Sequence, residues 1–263
     1  MRALGAVFFA LWAAQAQAEP VDDLLVALGA SELTDVIREE LLDYGETVGE
    51  AMLPEGGGAA WQAILARLYD RDLMVARVRS AMAARFEETD VAAALAFFES
   101  AQGKRLVVAE LEARRALLVE GAEDAAAQAC LEPEERADAL LEFARVNDLL
   151  ERNVAGTLNS DLAFYRGLVE GGVFEMAESE VLAEVQARVP EIRVALEAWL
   201  SGYLCAAYGD VARDDLAAYT AFSESDAGAA LNAALFDGYG ALYKDLSYAL
   251  GLAVSVQILG EDL

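Results

Sequence analysis

The stretch Thr89-Asp90-Val91-Ala92-Ala93-Ala94-Leu95-Ala96-Phe97-Phe98-Glu99-Ser100-Ala101-Gln102-Gly103 decides how this chain is read, because its pattern returns later as Asp215-Leu216-Ala217-Ala218-Tyr219-Thr220-Ala221-Phe222-Ser223-Glu224-Ser225-Asp226-Ala227-Gly228. Aligning Ser225 with Ser100 sets an offset of 225 − 100 = 125. At that offset Asp90, Phe97, Glu99, Ser100, Gly103 and Leu106 meet identical residues at 215, 222, 224, 225, 228 and 231. Each stretch reads as a helix, a one-residue joint and a second helix. Val91, Leu95 and Phe98 recur at i, i+4 and i+7, and Leu216, Tyr219 and Ser223 occupy a comparable face, the spacing of a helix with one buried strip. Ser100 and Ser225 stand where the first helix stops. A serine there accepts the backbone N–H three residues on, from Gly103 or Gly228, and such a cap contributes about 1 kcal/mol. Glycine inside a first turn costs up to about 1 kcal/mol against alanine. Its presence twice at the same place predicts a neighbouring backbone too close to admit a Cβ. Phe97, Ser100, Gly103, Phe222, Ser225 and Gly228 are therefore expected to build a structural joint.

The fold expected from this pattern is all-α, two tandem helical repeats packed as a multi-helix bundle. Leu131-Glu132-Pro133 is the candidate boundary, since proline suits a first helical position, which gives units 19–130 and 131–263. Within the first unit, Pro54-Glu55-Gly56-Gly57-Gly58 reads as a loop. Tyr69-Asp70-Arg71-Asp72 reads as a break, followed by a helix to Phe86. The helix after Gly103 places Val107, Leu111 and Leu118 on one side, with Glu110, Arg114 and Arg115 near the other, and fades between Gly121 and Cys130. In the second unit Glu170-Gly171-Gly172 is a loop and Pro190 begins or kinks a helix. Leu231, Leu235, Leu242, Leu246 and Leu250 form a 3.6-residue stripe. The apolar run Tyr248 to Leu259 is too short to span a bilayer and is expected as a buried terminal helix, the alternative being a partner-binding or membrane-surface helix.

Residues 1–18 have the layout of a secretory signal peptide: Met1-Arg2, an apolar run from Ala3 to Ala14, and Ala16-Gln17-Ala18 as the cleavage site. A periplasmic or secreted location is the expectation. The 263 residues carry 19 basic and 46 acidic side chains, a net charge of −27, and loss of Arg2 with the leader would leave 18 − 46 = −28. That polyanionic character disfavours nucleic acid and anionic lipid as partners. It is not a sign of disorder, because 56% of the residues are hydrophobic. Cys130 and Cys205 are the two cysteines. In an oxidising compartment a disulfide between them is expected, closing 205 − 130 = 75 residues and contributing roughly 4 kcal/mol; the alternative is a pair of buried small hydrophobes too far apart to bond.

The sequence contains no histidine, which excludes Ser-His-Asp and Cys-His nucleophilic sites and histidine-ligated zinc. No cofactor, metal or catalytic residue is assigned. Carboxylate chemistry survives, and Glu99 and Glu224, repeated beside the joints, are the least arbitrary acids to consider. The leading expectation is a non-catalytic interaction module of the cell envelope, taking an unknown protein or small ligand in a groove between its halves. The alternatives are a carboxylate-dependent hydrolase of envelope polymer and a membrane-associated stress or assembly factor.

Phe97-Phe98-x-Ser100-x-x-Gly103, after Phe86-x-x-Thr89-Asp90, resembles the Phe-Tyr-x-Ser-Pro-x-Gly signature of the bacterial domain of unknown function 2059, here in two copies. The resemblance implies a small secreted helical domain and transfers no catalytic residue. Phe98 and Ser223 stand in place of the usual Tyr, and Ala101 and Asp226 in place of the usual Pro, so the second copy is the weaker match.

Overall fold

Alanine, leucine and glutamate are strong helix formers, and the chain they dominate is all-α. A computed structural model describes residues 20–85, 88–119, 121–129 and 134–260, with no strand among them. The helices are α1 (20–27), α2 (Ala30–Met52), α3 (Gly58–Leu68), α4 (Arg71–Ala83), α5 (Glu88–Phe98), α6 (Ala101–Ala116) and α7 (Ala122–Ala129). They continue as α8 (Glu134–Val146), α9 (Leu149–Glu170), α10 (Glu178–Ala187), α11 (Val189–Tyr208), α12 (Arg213–Ser223) and α13 (Asp226–Leu259). Residues 1–18, which the sequence reads as a signal peptide, Cys130 and the expected boundary Leu131-Glu132-Pro133 lie outside the described residues.

Local chemistry sets most of the breaks. The Pro54–Gly57 segment is a tight turn in which Gly56 and Gly57, with the following Gly58, have positive φ at no steric cost, while Glu55 takes a left-handed φ of +52 that L side chains rarely adopt. Asp70 caps α4 by accepting from the Leu73 N–H at 3.0 Å. Pro190 enters α11 in its first turn, and Gly172 (φ +86) closes α9. Three boundaries differ from the sequence reading. Each Ser–Gly joint has two residues, Glu99-Ser100 and Glu224-Ser225, and α4 stops at Ala83. The segment expected to fade before Cys130 instead forms α7, which packs on α11. Tertiary contact stabilises a short alanine-rich helix that is marginal alone.

Two apolar clusters hold the bundle together. The larger includes Leu24, Trp61, Tyr69, Met74, Met82, Phe98, Leu242 and Leu250; the smaller joins Leu106, Ala113, Leu140, Phe143, Leu204, Tyr208 and Leu216. Helix α13 runs through the centre and packs on α9, α4 and α5. Its crossing with α9 is close because small residues meet there. A Cβ on Gly167 would lie 2.2 Å from the Tyr248 carbonyl oxygen, and one on Gly251 2.2 Å from that of Phe164. Ser255, fully buried, donates to the Leu168 carbonyl at 3.0 Å. The run from Tyr248 to Leu259 is thus mostly packed against α9, with Ile258 and Leu259 exposed at its tip. No helix among the described residues is long and apolar enough to cross a membrane.

Candidate functional site: facing corners and a buried carboxyl

The joints at Ser100 and Ser225 share one geometry. Their φ/ψ values are −63/161 and −75/159, and their hydroxyl oxygens accept from Gly103 N at 3.0 Å and Gly228 N at 3.1 Å. A Cβ on Gly103 would sit 2.3 Å from the Phe97 carbonyl oxygen, and one on Gly228 2.0 Å from that of Phe222. In both cases the preceding helix's last turn occupies the space, which is why the first turn after each serine carries glycine.

The corners also face each other. The Phe97 and Phe222 rings stack at 4.4 Å and 9° between planes, Phe98 stands edge-on to Phe222 at 5.7 Å, and Tyr219 lies over Phe97 at 5.7 Å. Aromatic rings pack together at this meeting place. Arg105 of α6 donates to both carboxylate oxygens of Asp215 of α12, at 2.8 and 2.9 Å, and Asp215 is 5% exposed.

Next to the corners lies a polar seam between α6 and α11, in which Tyr208 is buried and Glu110 half-buried. Tyr208 donates its hydroxyl to Glu110 Oε1 at 2.5 Å, and the Tyr219 hydroxyl also hydrogen-bonds this carboxyl. Burial raises the Glu110 pKa, and the two phenol hydrogen bonds oppose that shift without cancelling it. Burial, reinforced by Glu110, pushes both phenols far above the ordinary tyrosine range. One turn along α6, Arg114 pairs with Glu40 of α2 through two bonds of 2.7 Å and lies 5.2 Å over the Trp199 ring, which stacks flat on Tyr203. Burial disfavours the Arg114 charge, but the Glu40 pair holds its pKa above the usual value.

Sequence reasoning placed Glu110 and Arg114 toward the polar side of α6, away from Val107 and Leu111. The fold refines this: α6 packs on α2, α5, α11 and α12, which half-bury Glu110 and Arg114, while Glu112 and Arg115 stay exposed. The signal in the sequence was the set of tyrosines on α11 and α12, which supply the hydroxyls that a buried carboxyl needs. Glu99 and Glu224, by contrast, are exposed and lie outside this seam. Cys205 is half-buried on α11, and its pairing with Cys130 rests on a residue outside those described.

A second feature is an open cleft of about 400 Å³ between α2 and the α3–α4 break, lined by Asp35, Arg38, Glu39, Leu42, Asp70 and Arg71 among others. Its two guanidinium groups are held in place: Arg38 donates to the Tyr69 carbonyl at 2.7 Å, and Arg71 bridges Asp35 and Ser31. Among the described residues no group of three or more acids, cysteines or histidines is arranged to hold a metal ion.

Comparison with curated proteins and with solved structures gives no match. The second corner lies outside the segment that a family comparison does match. Residues 72–130, running from the first turn of α4 through α7 and holding the first corner, match the family described as an uncharacterized protein conserved in bacteria, DUF2059, the family whose signature Phe97 to Gly103 resembles.

Proposed function

We propose that the protein is a non-catalytic, exported helical module that binds a partner in the cell envelope through the cleft between α2 and the α3–α4 break. The observation that carries this reading is the cleft's fixed mixture of charges. Arg38 and Arg71 are anchored by a backbone carbonyl and by Asp35 and Ser31, with Glu39 exposed beside them. Anchored charges lose little freedom on binding, which favours recognition of a polar partner such as an extended peptide. The signal-peptide layout of residues 1–18 supports export. At the corners themselves, Phe97, Phe98, Tyr219 and Phe222 pack on one another, whereas the α2 cleft is open.

The test is crosslinked capture from the envelope with the wild type, with Glu39→Arg, and with Glu224→Gln as a control on another face. Loss of a specific crosslink in Glu39→Arg alone supports the cleft; a crosslink pattern indifferent to that charge reversal sinks it. A second reading, a carboxylate-dependent hydrolase, has one observation in its favour: Glu110 is a half-buried acid whose desolvation raises its pKa, as a general acid requires. It demands that Glu110→Gln abolish release of soluble fragments from cell-wall polymer.

A further inference from the structure

The seam holding Glu110 has a counterpart in the same molecule. Under the 125-residue offset, α6 corresponds to the start of α13, and α4 and α5 correspond to α11 and α12. Helix α6 packs on α11 and α12, and α13 packs on α4 and α5, so each seam is the other with the halves exchanged. Individual residues agree. Ala113 is buried in the α6 seam within the cluster containing Leu204 and Ala207. A Cβ added to its counterpart Gly238 in α13 would lie 3.7 Å from atoms of Val78, Ala81 and Met82 of α4. The Phe97–Phe222 stack, in which a residue meets its own counterpart, is the contact expected on a local two-fold axis.

The two seams differ in chemistry at one place. Glu110, Tyr208 and Tyr219 correspond to Leu235, Ala83 and Ala94, three apolar residues packed in the larger cluster. The same helix arrangement therefore closes without a carboxyl or a hydroxyl, and the polar trio is not a requirement of the packing. We infer that Glu110, Tyr208 and Tyr219 form a proton-operated latch, which tightens one of the two matching seams between the halves when the surroundings turn acidic.

Among the described residues, the titratable and charged groups facing Glu110 are Tyr203 and Tyr208 from α11 and Tyr219 from α12. On α6 itself Arg114 is engaged by Glu40 of α2, and α8 contributes the apolar wall of Phe143 beside Tyr208 and Tyr219. Ionised Glu110 thus has phenol donors but no cation paired with it, and neutral Glu110 fits its surroundings better. Burial raises the pKa of Glu110 in the closed seam, so the closed form binds the proton more tightly than an opened one. The stabilisation is full below the ordinary carboxylate value and is lost as pH rises through the raised one. The Leu235 seam carries no such group. Tightening of this interior seam is independent of the cleft proposed for partner binding.

Hydrogen exchange of the full-length protein across pH 4 to 8, corrected for intrinsic rates, tests the latch. Opening of amides in α6, α11 and α12 should increase with pH, by up to about tenfold per unit in the active window, while α4, α5 and the first half of α13 stay flat. Because the whole protein is strongly acidic, the second seam serves as the internal control for general charge repulsion. Glu110→Gln, neutral and nearly isosteric, should make the two seams alike. Equal pH dependence of both seams in the wild type, or a dependence that survives in Glu110→Gln, overturns the latch. If that variant does not fold, the carbon-13 titration of the wild-type Glu110 carboxyl decides: a midpoint at the ordinary glutamate value overturns the latch, and a raised midpoint supports it.

Discussion

Replacing glycine by alanine should have opposite effects at two positions on the same helix. Gly228 and Gly240 both lie in α13, and alanine gains up to about 1 kcal/mol over glycine in a helix at either site. At Gly228 the new Cβ would meet the Phe222 carbonyl oxygen at 2.0 Å, its carbon at 2.7 Å and Ser223 Cα at 2.8 Å. All three are backbone atoms of the preceding turn, so no rotamer change relieves the overlap, and the cost falls at the upper end of overpacking, about 3 kcal/mol. The net effect is a loss of about 2 kcal/mol. At Gly240 nothing lies within 4 Å of the added carbon, and the helix preference stands alone, a gain of up to about 1 kcal/mol. Urea unfolding followed by circular dichroism reads the difference. With a slope of about 3 kcal/mol/M for a chain of this size, the midpoint falls by roughly 0.7 M for Gly228→Ala and rises by about 0.3 M for Gly240→Ala. Midpoint shifts of the same sign, at unchanged slope, would refute the claim that backbone proximity is what requires glycine at the corner.

Further outcomes follow from the same geometry. Gly103→Ala should behave like Gly228→Ala, since its Cβ would lie 2.3 Å from the Phe97 oxygen and 2.5 Å from Phe98 Cα. Ser100→Ala and Ser225→Ala should each cost about 1 kcal/mol in the same unfolding assay, the value of one helix cap. A double-mutant cycle on Phe97 and Phe222 should give a coupling of about 0.5–1.5 kcal/mol from the ring stack; additive single effects would show that the rings do not act as a pair. Thiol titration of the unfolded, unreduced mature protein should find no reactive sulfhydryl, as a Cys130–Cys205 bond requires, and two free thiols would exclude that bond.

The helical class was legible in the sequence because it depends on local features: helix-forming composition, apolar residues at 3.6-residue spacing, and glycine, proline and aspartate at the breaks. Val91 and Phe98, or Leu242, Leu246 and Leu250, are buried as their spacing predicts. Periodicity identifies the apolar face of a helix, but it does not reveal whether the opposite face is also covered. That is why Glu110 and Arg114 read as polar-side residues on α6 and yet are half-buried against neighbouring helices. For the same reason, no local pattern marks Gly167 and Gly251 as a contact, since the atoms that leave no room for a Cβ belong to a helix about 84 residues away.

The sequence by itself determined that the chain is helical, where most helices break, and that a serine–glycine corner occurs twice, because propensity, capping and glycine conformation act within a few residues. Only the tertiary structure decided which helix faces meet, and with them the stacking of one corner on the other, the closeness of the α9–α13 crossing and the placing of a carboxyl between tyrosines. Those outcomes depend on the shape and polarity of surfaces brought together from distant parts of the chain, and one-dimensional spacing carries no record of that pairing.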